Sequence, residues 1–225
     1  MSTHESVLEK PTDFLDRKAV LAKDPNILTA IYDEDVNMAV WQRNHPNEVM
    51  LAIEDFIQQH PKTAKRLAVT PNTTHEVMYK SFGKTPYVTT LADDIALIVD
   101  MFCCLFEQKR AGLRLTVLER PMCPRFHVDL IPCRLVTTYQ GVATQWLKNT
   151  EVDRSKLGQG NQGKSDEESG LFKQLSNINQ LTQGDVALLK GENWQETSGG
   201  GLVHRSPAIS DGEKRLLLTL DFIDF

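Results

Sequence analysis

Arg125-Phe126-His127-Val128-Asp129 is the stretch around which we expect the second half of this chain to fold. The surrounding sequence is rich in β-forming residues. In a strand, His127 and Asp129 would project from the same face, because side chains alternate with a period of two. His204 follows far downstream. Two histidines and one carboxylate form a facial ligand set that leaves part of the metal's coordination sphere open. We therefore predict a metal site formed by His127, Asp129 and His204.

The pattern of apolar residues changes at Gly112. Before it, helical spacing is clearest over 46–60 and 91–108, so residues 1–111 are expected to be mainly helical and integral to the same domain. After it, about six short strands separated by turns predict a β-barrel metal-binding region over 112–225. The expected fold class is α+β, with a mainly helical N-terminal half packed on a C-terminal barrel.

Two local predictions accompany this division. A short helix is expected from Thr12 to Lys23, and Pro25 would end it. The polar stretch 148–170 is expected to be a long loop within the barrel region. Loops of that length in compact domains commonly serve as lids or binding loops.

Composition narrows the classes of function. The chain has 225 residues and a net charge of -5, which argues against a general nucleic-acid binder. Its N-terminus lacks the apolar core of a signal peptide, and its most apolar run, 96–106, is too short to span a bilayer. We expect a cytoplasmic protein without nucleic-acid or membrane partners.

The four cysteines show no Cys-x-x-Cys spacing, so no zinc ribbon or redox motif is predicted. Cys123 and Cys133 nevertheless flank the metal-binding stretch with matching strand parity. Either thiol could approach the ion as a fourth ligand and favour zinc. Pro124 and Pro132 argue against a continuous strand there, because proline cannot donate a ladder hydrogen bond.

Three further residues are candidates for binding a small anionic cosubstrate. Arg215 opens the last predicted strand, and its guanidinium could hold a carboxylate through two parallel hydrogen bonds. Arg134 and Tyr139 follow the metal-binding stretch. They have opposite strand parity, so only one of them can point into the cavity of a regular strand.

A purely structural interpretation also accounts for these residues. The two histidines would then be buried core residues with satisfied hydrogen bonds, and Asp129 would cap a turn. Arg215 would pair with Asp211 or Glu213 nearby.

His127-Val128-Asp129, His204 and Arg215 together resemble the site motif of iron(II)- and 2-oxoglutarate-dependent oxygenases with a double-stranded β-helix, or cupin-like, fold. Segments 184–189 and 215–219 are similar to the strands that precede and follow the distal histidine in that superfamily. The resemblance implies that the three ligands bind iron(II) and that Arg215 holds the far carboxylate of 2-oxoglutarate. It further implies hydroxylation of a substrate that the sequence does not identify.

A closer resemblance links segments 123–129, 134–139, 144–146 and 202–207 to an uncharacterised bacterial family, known only as a domain of unknown function. That resemblance implies no reaction. The alternative to the oxygenase is a non-catalytic zinc-binding protein on the same barrel, involved in metal handling or sensing. A closed four-ligand site would favour the zinc protein, whereas an open three-ligand site facing Arg215 would favour the enzyme.

Overall fold

The computed structural model describes residues 17–194 and 199–223, and these ranges contain three α-helices and ten β-strands. The helices are α1 (Asn47–Gln59), α2 (Thr74–Phe82) and α3 (Pro86–Leu105). The strands are β1 (Lys18–Ala22), β2 (Val36–Trp41), β3 (Ala64–Val69), β4 (Ala111–Leu118), β5 (Cys133–Gln140), β6 (Gln145–Leu147), β7 (Ile178–Gln180), β8 (Val186–Lys190), β9 (His204–Arg205) and β10 (Arg215–Asp221). Short 3-10 helices occupy Pro25–Tyr32, Asn149–Glu151, Arg154–Lys156, Gly158–Asn161 and Leu175–Asn177.

The strands form two sheets. The large sheet has the order β1-β2-β8-β5-β10-β4-β3 and is antiparallel except for the pair β1–β2. The small sheet, β7-β6-β9, is antiparallel. Strands from the first half of the chain complete both edges of the large sheet, with β1 and β2 at one edge and β3 at the other. The two halves therefore share one sheet.

The helices cover one face of the large sheet. Leu216, Leu218 and Leu220 of β10 point into this layer and are almost completely buried, together with residues of α1 and α3. The predicted helix around 91–108 is confirmed but begins earlier, at Pro86. Its start carries a recognisable signal, since the Thr85 hydroxyl accepts a hydrogen bond from the Val88 amide and proline is favoured in the first turn.

The opposite face of the large sheet packs against the small sheet. Val136, Leu189 and Leu217 from the large sheet meet Trp146 and Leu202 in a second apolar cluster. The architecture has three layers, with helices, the large sheet and the small sheet in that order. A mixed α/β fold with helices packed on a large sheet is thus confirmed, while closure of the sheets into a barrel stays a prediction.

No helix within the described ranges is both long and apolar enough to cross a membrane.

One local prediction was wrong. The helix expected from Thr12 to Lys23 is a β-strand over Lys18–Ala22, and residues 12–16 lie outside the described ranges. The strand pairs in parallel with β2 at the edge of the large sheet. Long-range pairing of the backbone overrides a weak local preference for helix in a segment this short.

A buried polar network joins α3 to the large sheet. The Arg43 guanidinium donates to both carboxylate oxygens of Asp94, at 2.6 and 2.9 Å, and to the Gly184 carbonyl at 3.0 Å. The Tyr139 hydroxyl donates to Asp94 at 2.7 Å. Burial acts to raise the pKa of Asp94, but the hydrogen bonds and charge of Arg43 outweigh it, so the pKa lies below its usual value.

Replacing Asp94 with alanine should lower the free energy of unfolding by about 3–5 kcal/mol, because it leaves a buried guanidinium without its counterion. The matched control is Asp93→Ala, since the exposed carboxylate of Asp93 pairs with His75 and should contribute less than about 1 kcal/mol. Urea denaturation measures both. The stabilisation by Asp94 is complete above its unfolded-state pKa and is lost as the pH falls through its lower folded-state pKa. Equal losses in the two variants would contradict the assignment.

Candidate metal centre

A single β-bridge brings the two histidines of the predicted site together. The backbone amide of His127 donates to the His204 carbonyl, and the His204 amide donates to the His127 carbonyl, both at 3.0 Å. Residues that exchange both hydrogen bonds lie directly opposite each other, so their side chains project to the same side. The two imidazole centroids are 4.6 Å apart. The bridge thereby converts a large separation in sequence into direct proximity.

The segment around His127 is not the strand expected from the sequence. Apart from this bridge, residues 120–132 form bends and irregular backbone. Pro124 and Pro132 limit ladder formation at both ends, because each lacks an amide donor. His127 and Asp129 converge through a loop that is held on several sides, and the regular alternation of a strand is not what aligns them.

A close approach of two backbones holds this loop in place. The amide of Glu192 donates to the Asp129 carbonyl at 2.9 Å, and the amide of Gly191 donates to Pro132 at 2.9 Å. A Cβ atom at Gly191 would lie 2.0 Å from the Ile131 carbonyl oxygen and 2.6 Å from that of Asp129. Glycine is therefore required at the end of β8 for the metal-binding loop to rest against it.

Both imidazoles present the same nitrogen to the candidate site. Nδ1 of His127 lies 2.9 Å from the Arg125 carbonyl, and Nδ1 of His204 lies 3.1 Å from the Leu202 carbonyl. A carbonyl oxygen can only accept, so each Nδ1 carries the proton and each Nε2 has a free lone pair. Metal-binding histidines are commonly oriented in this way by an acceptor at the other ring nitrogen.

The carboxylate of Asp129 faces both free nitrogens. Its oxygens lie 3.7 Å from Nε2 of His127 and 3.5 Å from Nε2 of His204. One ligand atom from each of the three residues can be chosen so that all three atoms lie within 4.8 Å of one another. Bonds of about 2.0–2.2 Å to one ion place neighbouring ligand atoms about 3 Å apart, so a small contraction suffices. Arg134 donates to one Asp129 oxygen at 2.9 Å and leaves the other available.

The electrostatic environment keeps His204 ready to bind a cation. Burial lowers the pKa of His204 to about 4, and this outweighs the opposing effect of the Asp129 charge. The imidazole is therefore neutral at pH 7, which is the protonation state that a metal requires.

Arg215 lines a cleft together with His127 and His204, and its environment is unusual. Its side chain is 1% exposed, and its guanidinium donates to the hydroxyls of Thr138, Thr144 and Ser206 at 2.9–3.3 Å. It forms no ion pair with any residue in the described ranges, Asp211 and Glu213 included. Burial lowers the pKa of Arg215 to about 10, so the group is still a cation at neutral pH.

The other two candidates for cosubstrate binding lie on opposite faces of β5, as their parity requires. Arg134 faces the cleft, but its remaining donors are used by Asp221, at 2.7 and 3.0 Å, in addition to Asp129. Tyr139 lies on the helix-covered face, where its hydroxyl donates to Asp94. The structure therefore places Arg134 beside the metal ligands and places Tyr139 away from them.

The two cysteines that flank the metal-binding stretch are separated by the structure. Cys133 is buried in the helix-covered core, where burial raises the pKa of its thiol. Cys123 is exposed and lines the cleft. Among the residues that the structure describes, the group able to hold a metal consists of His127, Asp129 and His204 alone.

Asp166 is a structural element of the site that the sequence did not indicate. This buried carboxylate accepts from the Phe126 amide at 2.9 Å and from Arg125 at 2.7 Å, next to His127. It also accepts from Arg205 at 3.1 Å, next to His204. The loop 148–170 is thereby anchored on both histidine-bearing segments. No sequence signal distinguishes this aspartate from the neighbouring Glu167 and Glu168.

The hydroxyl partners of Arg215 were also missed. Of these, only Ser206 carried a signal, since it shares strand parity with His204.

The cleft lined by His127, His204 and Arg215 is narrow, with a volume of about 60 Å³. It is lined further by Arg114, Met122 and Thr219. Concave regions of about 750 and 530 Å³ lie elsewhere on the surface, and the described residues that line them include none of the metal ligands. We place the candidate site by its group of three potential metal ligands, none of which lines these larger regions.

Replacing Asp166 with alanine should weaken metal binding on the order of 10-fold, because both histidine-bearing segments lose a shared anchor. Glu167→Ala is the matched control, since Glu167 accepts a hydrogen bond from Arg205 at 3.0 Å, whereas the Phe126 amide donates to Asp166. Metal affinity is measured by competition with a chelator, and folding by circular dichroism. Equal affinity of the two folded variants would disprove the anchoring role.

One solved structure with a related fold supports the architecture, and two others align with lower scores. A dioxygenase for auxin oxidation from rice aligns with a TM-score of 0.54 and 10% identity, covering 92% of this chain and 83% of its own. A prolyl-4-hydroxylase from Pseudomonas putida aligns at 0.45, with 10% identity over 88% and 97% of the two chains. HygX from Streptomyces hygroscopicus, solved with iron bound, aligns at 0.44, with 13% identity over 82% and 80%. At these identities the likeness concerns the fold alone.

Sequence comparison gives a family but no activity. No curated protein matches the chain significantly. The family described as "Protein of unknown function (DUF1826)" matches residues 22–221. Because this match spans most of the sequence, the chain belongs to that family.

Proposed function

We propose that this protein is an iron(II)- and 2-oxoglutarate-dependent oxygenase that hydroxylates a substrate. The observation that carries the proposal is the buried cation Arg215, which forms no ion pair with the described residues and lines the same cleft as His127 and His204 of the three-residue ligand group. A buried guanidinium without a counterion is costly, and a bound carboxylate would offset that cost. The related fold of the rice dioxygenase agrees with this assignment as an analogy only.

The donor set fits iron(II). His127 and His204 would bind through their free Nε2 atoms, and Asp129 through the oxygen that Arg134 does not occupy. Two imidazoles and one carboxylate on one side of an ion leave positions for exchangeable ligands, the arrangement typical of non-haem iron(II) oxygenases. Arg134 holds the Asp129 carboxylate in orientation through its hydrogen bond.

Arg215 would bind the far carboxylate of 2-oxoglutarate. Thr138, Thr144 and Ser206 fix the plane of the guanidinium before any ligand arrives, which lowers the entropic cost of binding. A hydroxyl can rotate and share its own hydrogen with an incoming carboxylate. When bound, iron(II) and 2-oxoglutarate would together activate dioxygen, which is the oxidant for hydroxylation. The residues of the cleft bind, orient and shield these groups.

The surrounding segments would limit access of water. The 148–170 region packs against the metal-binding loop through Asp166, and its Val152 and Leu157 pack against the apolar cluster that includes Phe126. It would therefore cover one side of the site. The cleft of about 60 Å³ is too small for a five-carbon dicarboxylate, so Met122, which is 39% exposed at its rim, would have to move.

A non-catalytic zinc protein would be favoured by a closed site, in which a cysteine supplies a fourth ligand. Cys133 is buried on the other face of the sheet, and among the described residues the group of ligand atoms close enough to share one ion does not include Cys123. Both observations argue against that arrangement. The presence of an unpaired buried arginine also lacks an explanation in the zinc hypothesis.

Anaerobic addition of iron(II) and 2-oxoglutarate to the purified protein should produce the visible charge-transfer absorption of the chelate. His127→Ala should abolish this absorption and metal retention, because one of three ligands is lost. His75→Ala is the control, since its ring pairs with Asp93 on the helical side. Absence of absorption from the wild-type protein, with zinc tightly retained, would disprove the oxygenase proposal.

Arg215→Gln should weaken 2-oxoglutarate binding on the order of 100-fold, because two charge-assisted hydrogen bonds are lost. Lys214→Gln is the matched control, as this adjacent lysine pairs with Glu119 outside the cleft. Titration of the charge-transfer absorption gives both dissociation constants. If Arg215→Gln retains both the absorption and wild-type affinity, Arg215 does not bind the carboxylate.

A further inference from the structure

Four arginines line the cleft, and carboxylates neutralise only two of them. Arg134 pairs with Asp129 and Asp221, and Arg205 pairs with Asp166 and Glu167. Within the described ranges, Arg114 and Arg215 form no ion pair. The proposed function uses Arg215 and leaves Arg114 unexplained.

The donors of Arg114 are poorly satisfied. Its Nη1 donates to the Met122 sulfur at 3.7 Å, a weak acceptor, and its Nε is buried without a hydrogen-bond partner. Thr219, which pairs with Arg114 across β4 and β10, also has a buried side-chain oxygen without a partner. Buried polar groups in native proteins are normally hydrogen-bonded. Two unsatisfied neighbours that line one cleft therefore point to a ligand with acceptor atoms.

The local charge also favours an anion. Arg66 of β3 lies directly opposite Arg114 of β4. Like charges at directly opposed positions of a sheet repel each other, and no carboxylate of the described residues pairs with either guanidinium. Directly opposed residues project from the same face, so the exposed Arg66 extends the positive charge from the cleft toward solvent. An anionic group bound between them would relieve this repulsion.

This cationic pair is distinct from the proposed cosubstrate site. Arg215 and Thr219 are four residues apart on β10, which corresponds to about 13 Å along a strand. Arg215 is almost fully buried and fixed by three hydroxyls, whereas Arg114 is half-buried beneath the exposed side chain of Met122. An unbranched methionine adapts easily, so its sulfur can give way to a stronger acceptor.

We propose that Arg114 and Thr219, with Arg66 at the rim, bind a carboxylate of the primary substrate, which is therefore a small organic acid. The assignment rests on the proposed function, because it takes Arg215 as the site of the cosubstrate. Arg114 would form charge-assisted hydrogen bonds to the carboxylate in place of its contact with Met122. Thr219 would donate its hydroxyl hydrogen to the second oxygen. The substrate would then extend from this anchor toward the metal ligands.

Isothermal titration calorimetry with butyrate, hexanoate and benzoate, each compared with its primary amide, tests the anchor. The measurements are made on the full chain, with and without zinc and 2-oxoglutarate. We expect wild-type protein to prefer at least one acid over its amide, and Arg114→Gln to weaken that acid roughly 10- to 100-fold. Arg114→Lys should restore part of the affinity, and Thr219→Val should weaken it by a smaller factor. Arg120→Gln, which removes an exposed charge just beyond β4, should have no effect.

The outcomes separate this inference from the proposed function. Arg114→Gln should leave 2-oxoglutarate affinity within about twofold of wild type, and its melting temperature should not fall, because the replaced group was unsatisfied. Loss of 2-oxoglutarate binding in Arg114→Gln would indicate that Arg114 binds the cosubstrate, and this would overturn the inference. Wild-type protein that binds 2-oxoglutarate but no acid better than its amide would overturn the inference alone. If 2-oxoglutarate fails to bind while the Arg114-dependent preference for acids persists, only the proposed function fails.

Discussion

The bridge between His127 and His204 is the interaction on which the candidate site depends. Two backbone hydrogen bonds at 3.0 Å oppose the histidines and set both rings on one side. Further contacts of the site help to maintain this alignment. Asp166 ties the segments that flank the bridge, and Gly191 allows the Asp129 loop to lie against the end of β8. A site built on an irregular loop needs such support, because no regular ladder holds its side chains in position.

The large sheet divides structural and functional roles between its two faces. Along β10, Leu216, Leu218 and Leu220 pack under the helices, while Arg215 and Thr219 face the cleft. The strict alternation of side chains in a strand makes this division possible with few residues. The helices and the Asp94 network stabilise one face, and the other face can then hold polar groups that do little for stability.

The charges within the cleft show the same division. Carboxylates hold Arg134 and Arg205 in defined positions, where these arginines orient the metal-binding segments. Arg114 and Arg215 lack such partners among the described residues, and their burial costs free energy in the absence of a ligand. Unpaired cations are rare in protein interiors because they are destabilising, and the binding of small anionic molecules would offset this cost. The paired arginines preserve the geometry of the site, and the unpaired ones are available for recognition.

The sequence by itself determined much of the secondary structure and predicted the candidate donor set. His127, Asp129, His204 and Arg215 were identified because their residue types and order are characteristic, and α1, α3, β4, β5 and β10 because their apolar periodicity is strong. Parity along β5 also showed that Arg134 and Tyr139 could not both face the cleft. Only the tertiary structure decided which of them did, since the choice depends on which face the helices cover.

Tertiary structure alone also decided that Lys18–Ala22 is an edge strand, that Asp166 contacts both histidine-bearing segments and that Arg114 has no carboxylate partner among the described residues. Each of these depends on contacts between residues distant in sequence, and such contacts cannot be inferred from the periodicity of the local sequence.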